Sequence, residues 1–176
     1  MPIVANTLTN IYASLDAYLQ THLVYADSTP VSLRLHGQRR FIPPPDDPWV
    51  EAHYEFLGLQ SQFMNRLTRT SDRIPLIASE RLGYLQLNLY QRARVFSQRY
   101  TTAVIRDLVV GAFPEGETLT ILDYTSVDAP PTLEPQGSLL FDGVQEHVQD
   151  MGLYSGVVQV VLQVRTRYLE IATRSV

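Results

Sequence analysis

Asp46 and Asp47, Glu115 and Glu117, and His22, His36, His53 and His147 are the residues of this chain whose types suit acid–base or metal chemistry. Asp46 and Asp47 are adjacent, so in an extended loop they point apart, and neither has a nameable partner for proton transfer. Glu115 and Glu117 flank Gly116 in a turn, where solvated charge is the default reading. The histidines form no HxH or HExxH pair; a metal site would need ligands from distant parts of the chain, and the plainer reading is four surface or half-buried side chains. With no cysteine there are no disulfides, thiolate zinc sites or cysteine nucleophiles. A GxSxG elbow, a P-loop and a GxGxxG turn after a strand are all missing. The sequence therefore assigns no catalytic, cofactor-binding or metal-binding residue, and an enzyme is not expected.

The arginines raise a different possibility. All 14 basic residues are arginine, in a chain with formal net charge −4. Compositional bias of the genome explains this, and so does enrichment for planar, bidentate contacts at interfaces. Arg92, Arg94, Arg99 and Arg106, with Phe96 and Tyr100 interleaved, have the composition of a single-strand binding surface. The acidic total favours a solvated face or an intersubunit contact instead.

These residues sit on a chain with the composition of a folded protein, 45% apolar and 18% charged over 176 residues. That length suits one domain spanning residues 1–176. No stretch approaches the roughly 18 apolar residues of a membrane helix. The opening Met1-Pro2-Ile3-Val4 lacks the features of a signal peptide, so the expectation is a protein made and used without export.

Asn6 or Thr7 can cap a helix running to about Leu23, because a short side-chain oxygen accepts from first-turn amides. Leu8, Ile11, Tyr12, Leu15, Tyr18 and Leu19 give it one apolar stripe. Val31 to Leu35 alternates as a strand. Between Phe41 and Trp49, Pro43, Pro44, Pro45 and Pro48 cannot donate to a sheet ladder and predict a stiff loop. A strand from Val50 to Leu57 then puts Val50, Ala52, Tyr54 and Phe56 on one face and Glu51, His53 and Glu55 on the other. Residues 58–80, with Arg66, Arg69 and Arg73, read as a long hairpin arm or a loop.

Arg81 to Tyr90 is a strand with Leu85, Leu87 and Leu89 inward. A second helix is expected from Ser97 to Ala112, with Tyr100, Val104, Leu108 and Val109 as its stripe and Phe113-Pro114-Glu115-Gly116 as its stop. Thr118 to Tyr124 reads as a strand, and Thr125 to Asp142, with three prolines and Gly137, as a loop with an extended piece at Ser138 to Asp142. Val157 to Ile171 is the strongest strand, with Val158, Val160, Leu162, Val164 and Tyr168 on one face and Gln159, Gln163, Arg165 and Arg167 on the other. Its length exceeds the usual five or six residues, so part of it should project or bend. The fold class is α+β: a mostly antiparallel sheet with two helices on one face and long loops. Leu15, Leu87, Val104, Leu108, Val160 and Leu162 are the expected core.

The order helix, strand, Pro-Trp strand (Pro48-Trp49-Val50), Gly-led strand (Leu82-Gly83-Tyr84), helix (Tyr100 to Leu108) and long closing strand after Met151-Gly152-Leu153-Tyr154 resembles the tail-terminator proteins of long-tailed bacteriophages. The resemblance covers roughly Asn6 to Ile171. Two features depart from it. Gln91-Arg92-Ala93-Arg94 stands where members often have a glycine-rich turn, and segments 58–80 and 125–150 exceed the compact family core. It implies a structural virion protein: a hexameric ring of identical subunits at the head-proximal end of the tail, assembled in the host cytoplasm. Such a ring caps the tail tube and joins it to the neck or head-tail connector, meets the sheath if the tail is contractile, and lets genome DNA pass its lumen without specific binding. Phe41, Pro43, Pro44, Pro45, Trp49, Arg66, Arg69, Arg92 and Arg94 are the expected interface residues, with Phe41 and Trp49 as aromatic anchors. Trp49 could equally plug the end of the core. The alternatives are another neck or tail-tube component, or a small ligand-binding or enzymatic α+β domain.

Overall fold

The structure, a computed structural model, describes residues 7–56, 66–68, 75–92, 101–124, 135–149 and 156–173. Its elements are α1 (Thr7–His22), β1 (Ser32–Arg34), β2 (Trp49–Phe56), β3 (Arg66–Thr68), β4 (Pro75–Arg92), α2 (Thr102–Ala112), β5 (Thr118–Leu122), β6 (Pro135–Gln149) and β7 (Val157–Thr173). One sheet holds all the strands in the order β1-β2-β4-β7-β6-β5, with β3 also paired to β4. Only β1 and β2 run parallel; every other pairing is antiparallel. A parallel neighbour requires a crossover of a dozen residues or so, and the proline-rich loop 35–48 supplies it without a helix.

Register explains why one face of the sheet became the core. Ala52 pairs with Leu87, which pairs with Leu162, and Tyr54 pairs with Leu85, which pairs with Val164. Paired residues share a face, so strand alternation builds one continuous apolar surface. Ile11, Leu15, Leu19 and Leu23 of the first helical stripe and Ile105, Val109 and Ala112 of α2 join the same buried cluster. Both helices therefore pack on one face, as the patterning predicts. Tyr18 ties them together, its hydroxyl donating to the Ala112 carbonyl at 2.5 Å beside the edge-to-face pair of Phe113 and Phe141.

Several expectations need correction. Thr101, not Ser97, caps α2: its backbone is extended and its side chain accepts from the Val104 amide at 3.3 Å. Ser97 and Tyr100 lie outside the described residues. Val104 is 40% exposed, and Ile105 takes the core position. Leu108 and Val160 are partly buried against the core, while Leu15, Leu87 and Leu162 are fully buried. Leu8 and Val158 are exposed. The strand expected over Thr118 to Tyr124 ends at Leu122.

The larger corrections concern the segments expected to be long loops. Residues 135–149 form the strand β6. Its alternation is hidden by a bulge between Phe141 and Val144, where Gly143 has φ +86°. The bulge shifts the core-facing parity from Leu139 and Phe141 to Val144, and glycine supplies the left-handed backbone it needs. Likewise β4 begins at Pro75 rather than Arg81, and its first residues pair with β3. Of the two readings of 58–80, the hairpin arm is the one found over residues 66–68 and 75–80. The other residues of that segment lie outside the described ones.

Candidate functional site

The strongest feature is an arm. β2 leaves β4 at Phe56–Gly83, and β6 leaves β7 at Leu139–Tyr168. Beyond those points β4 and β7 continue together to the pairs Ile77–Ala172 and Leu76–Thr173, flanked by β3. At about 3.4 Å per residue, the stretch from Leu82 to Pro75 projects the ribbon roughly 25 Å past the body of the sheet. The projection expected of the last strand is this arm.

Its pattern is inverted relative to the body. Core-facing positions of β4 in the body are Leu85, Leu87 and Leu89. In the arm the other parity carries Leu76, Ala78 and Leu82 in β4, Leu169 and Ile171 in β7 and Leu67 in β3, with Glu80, Arg167 and Thr173 among them. The parity continuous with the core carries Arg66, Thr68, Ser79, Arg81 and Glu170 as well as Pro75, Ile77, Ala172 and Tyr168. Because the side-chain period is two, the leucines of the arm stand at register positions opposite to those of Leu85, Leu87 and Leu89. The changeover falls at Gly83, where an added Cβ would lie 2.4 Å from the Phe56 ring. Glycine is required there for the ring to cross the strand.

The face opposite the helices mixes a polar row with Trp49, Tyr90 and Val161. His53, Gln86, Gln163 and Gln145 form one cross-strand row. Two ion pairs lie on this face, Arg34 with Glu51 at 3.3 Å and Arg167 with Asp142 at 2.7 Å. Arg106, on the helical side, bonds Glu146 at 2.7 Å. None of these pairings suits a basic nucleic-acid groove.

The expected interface residues separate. Trp49 is 7% exposed, stacked on Tyr90 with ring centroids 5.2 Å apart and with the Arg92 guanidinium 6.0 Å away. It lies outside the main core cluster, on the polar side of the sheet, because its partner Tyr90 has outward parity. Its indole N–H has no acceptor among the described residues. Phe41, Pro43 and Pro44 are half-buried and Pro45 is exposed. Ile42, which sequence reasoning passed over, is 91% exposed; its place before three prolines was the available signal. Arg66 lies in β3 opposite Ile77. Arg69 and Arg94 fall outside the described residues, as do Phe96 and Arg99.

A polar cluster links α1 to β2. The Tyr54 hydroxyl donates to Asp16 at 2.5 Å, and the Tyr54 amide donates to His36 Nδ1 at 3.0 Å. His36 stacks on Tyr54, with Tyr12 beside both. Burial pushes the Asp16 carboxyl above its ordinary range, against the opposing hydrogen bond from Tyr54 and the attraction of His36. Burial and the neighbouring Asp16 also push the Tyr54 hydroxyl up. The cluster pins helix to sheet. Its chemistry is that of a tie, since Tyr54 stays protonated and its proton is already committed to Asp16.

At the far edge, α1 side chains reach the backbone of β5. Ser14 Oγ accepts from the Leu122 amide and Asn10 Oδ1 from the Tyr124 amide, each at 3.0 Å. Between helix and strand lies a groove of about 190 Å³ lined by Ala17, Tyr18, Leu119, Leu122 and Tyr124 among others. That is below the roughly 300 Å³ at which small-molecule sites begin. Among the described residues no group of three His, Asp or Glu side chains is placed to hold a metal. No family model matches the chain, and no curated protein matches it significantly.

Proposed function

We propose that this chain is a structural assembly subunit, a tail-terminator-like protein whose copies close into a ring that caps a tail tube and joins it to the neck. The carrying observation is the arm of β3, β4 and β7, whose apolar pattern is inverted relative to the core. A ribbon of this kind is marginal by itself and gains stability when its apolar side is covered. A neighbouring subunit is the covering partner, which makes assembly the purpose of the arm. The polar row across the body, His53, Gln86, Gln163 and Gln145, suits a lumen that DNA traverses without being bound, and the stiff loop 41–49 suits docking to tube or neck.

Placing aspartate at Leu76 and Ile171 tests the reading. The expected outcome is a folded monomer and, in virions, tails that fail to join heads. Assembly with wild-type mass and stability would contradict it.

A further inference from the structure

The pairing of β1 with β2 ends at Arg34 and Glu51, yet the chain is fastened to β2 once more. Three residues further along β2, the Tyr54 amide donates to Nδ1 of His36 at 3.0 Å, so a side chain accepts where a strand would offer a carbonyl. His36 sits in a closed turn: the Gln38 amide donates to the Leu35 carbonyl and the Leu35 amide to Gln38 Oε1, each at 3.1 Å. Gly37, with φ +76°, lets the chain reverse there. This turn begins the crossover that carries Phe41, Ile42 and the three prolines after them. The His36 ring is stacked on Tyr54, with centroids 5.2 Å apart, and lies 5.1 Å from the Tyr12 ring. It is also exposed, so protons reach it.

A ring nitrogen that accepts a hydrogen bond carries no proton, so His36 is the neutral tautomer with its proton on Nε2. Imidazole is the side chain whose charge changes between about pH 5 and 8. Once it is charged both nitrogens donate, and an N–H would point at the Tyr54 N–H. We propose that His36 is an acid-released clasp, which fastens the root of the crossover to β2 while neutral and lets go of the Tyr54 amide when protonated. The charged and titratable groups around it agree with this. On α1 it faces Tyr12 and Asp16, and the Asp16 carboxylate attracts the charged ring. On β2, the Tyr54 hydroxyl keeps its proton, which is committed to Asp16. On β1, Arg34 is held by Glu51 and by the Gln38 carbonyl, each at 3.3 Å. The charged ring therefore trades the amide of β2 for the carboxylate of α1. That exchange is a local opening, read at the amide and the turn while the rest of the fold stays closed. The clasp is independent of the assembly reading above.

Hydrogen exchange read by mass spectrometry on peptides within residues 35–56, at about pH 7.5 and about pH 5.5, tests the clasp. After correction for the intrinsic rate, the Tyr54 amide of the wild-type chain should exchange at least tenfold faster at the lower pH, while peptides from α2 and β5 keep their protection. His36→Asn cannot take up a proton and should show no difference between the two pH values. His36→Phe keeps the stacking but removes the acceptor, and its Tyr54 amide should be unprotected at both. Equal protection of the wild-type amide at the two pH values would overturn the proposal, however the variants behave. So would a His36→Asn chain that loses protection in acid as wild type does, because another group would then be responsible. A His36→Phe chain as well protected as wild type at the higher pH, or faster exchange in acid across the whole wild-type chain, would overturn it too.

Discussion

Asp16 shows how a single group ties stability to pH. Its carboxyl lies above the ordinary 3.8 in the fold, chiefly because burial disfavours the charge. A raised acid stabilises the fold below 3.8, and that contribution is lost as pH rises through the folded value. Asp16→Asn removes the titration but keeps an acceptor for Tyr54. In urea unfolding, the variant should gain on wild type as pH rises from 3.8 through the Asp16 range, then hold level. A constant difference across that range would show that Asp16 does not titrate as described. Tyr54→Phe should cost about 1 kcal/mol through the lost hydrogen bond. Gly83 is the second residue under constraint. Gly83→Val should cost about 1–3 kcal/mol by overpacking against Phe56. Shortening Phe56 to leucine should recover part of that, measured by a double-mutant cycle.

Among the elements, α2 tests how far patterning can be read. Ile105→Ala should cost about 2–5 kcal/mol in chemical denaturation, whereas Val104→Ala at an exposed site should stay within about 0.5 kcal/mol. The stripe read from the sequence holds Val109 rightly but has Val104 in place of Ile105, because Val104 and Leu108 share the spacing of Ile105 and Val109, and only the Thr101 cap fixes the phase. Elements with uninterrupted alternation were legible from residues alone: β2, the body of β4, and β7. β6 was not, because Asp142-Gly143 breaks its parity and splits one strand into two unremarkable fragments. The arm was half legible. Leu76 to Leu82 reads poorly as a strand because its apolar parity opposes that of Leu85 to Leu89, and no single-phase template fits both. The candidate site suffered in the same way. Trp49 and Arg92 were singled out by residue type, but their stacking with Tyr90 depends on the β2–β4 register, and the role of Ile42 depends on its exposure.

For the whole molecule, the helices and one sheet face close a single core, and the arm of β3, β4 and β7 extends beyond it. In the proposed ring, each copy covers the arm of its neighbour. On the proposed reading, the partners at this scale are the tail tube, the neck and, in a contractile tail, the sheath. Mass measurement of the purified protein across a concentration series, with images of the same sample, tests the central claim most directly. The account predicts closed rings at six times the 20.0 kDa of one chain, dissociating when Leu76 and Ile171 are replaced by aspartate. A 20.0 kDa species at every concentration, unchanged by those substitutions and with no rings in the images, would contradict it.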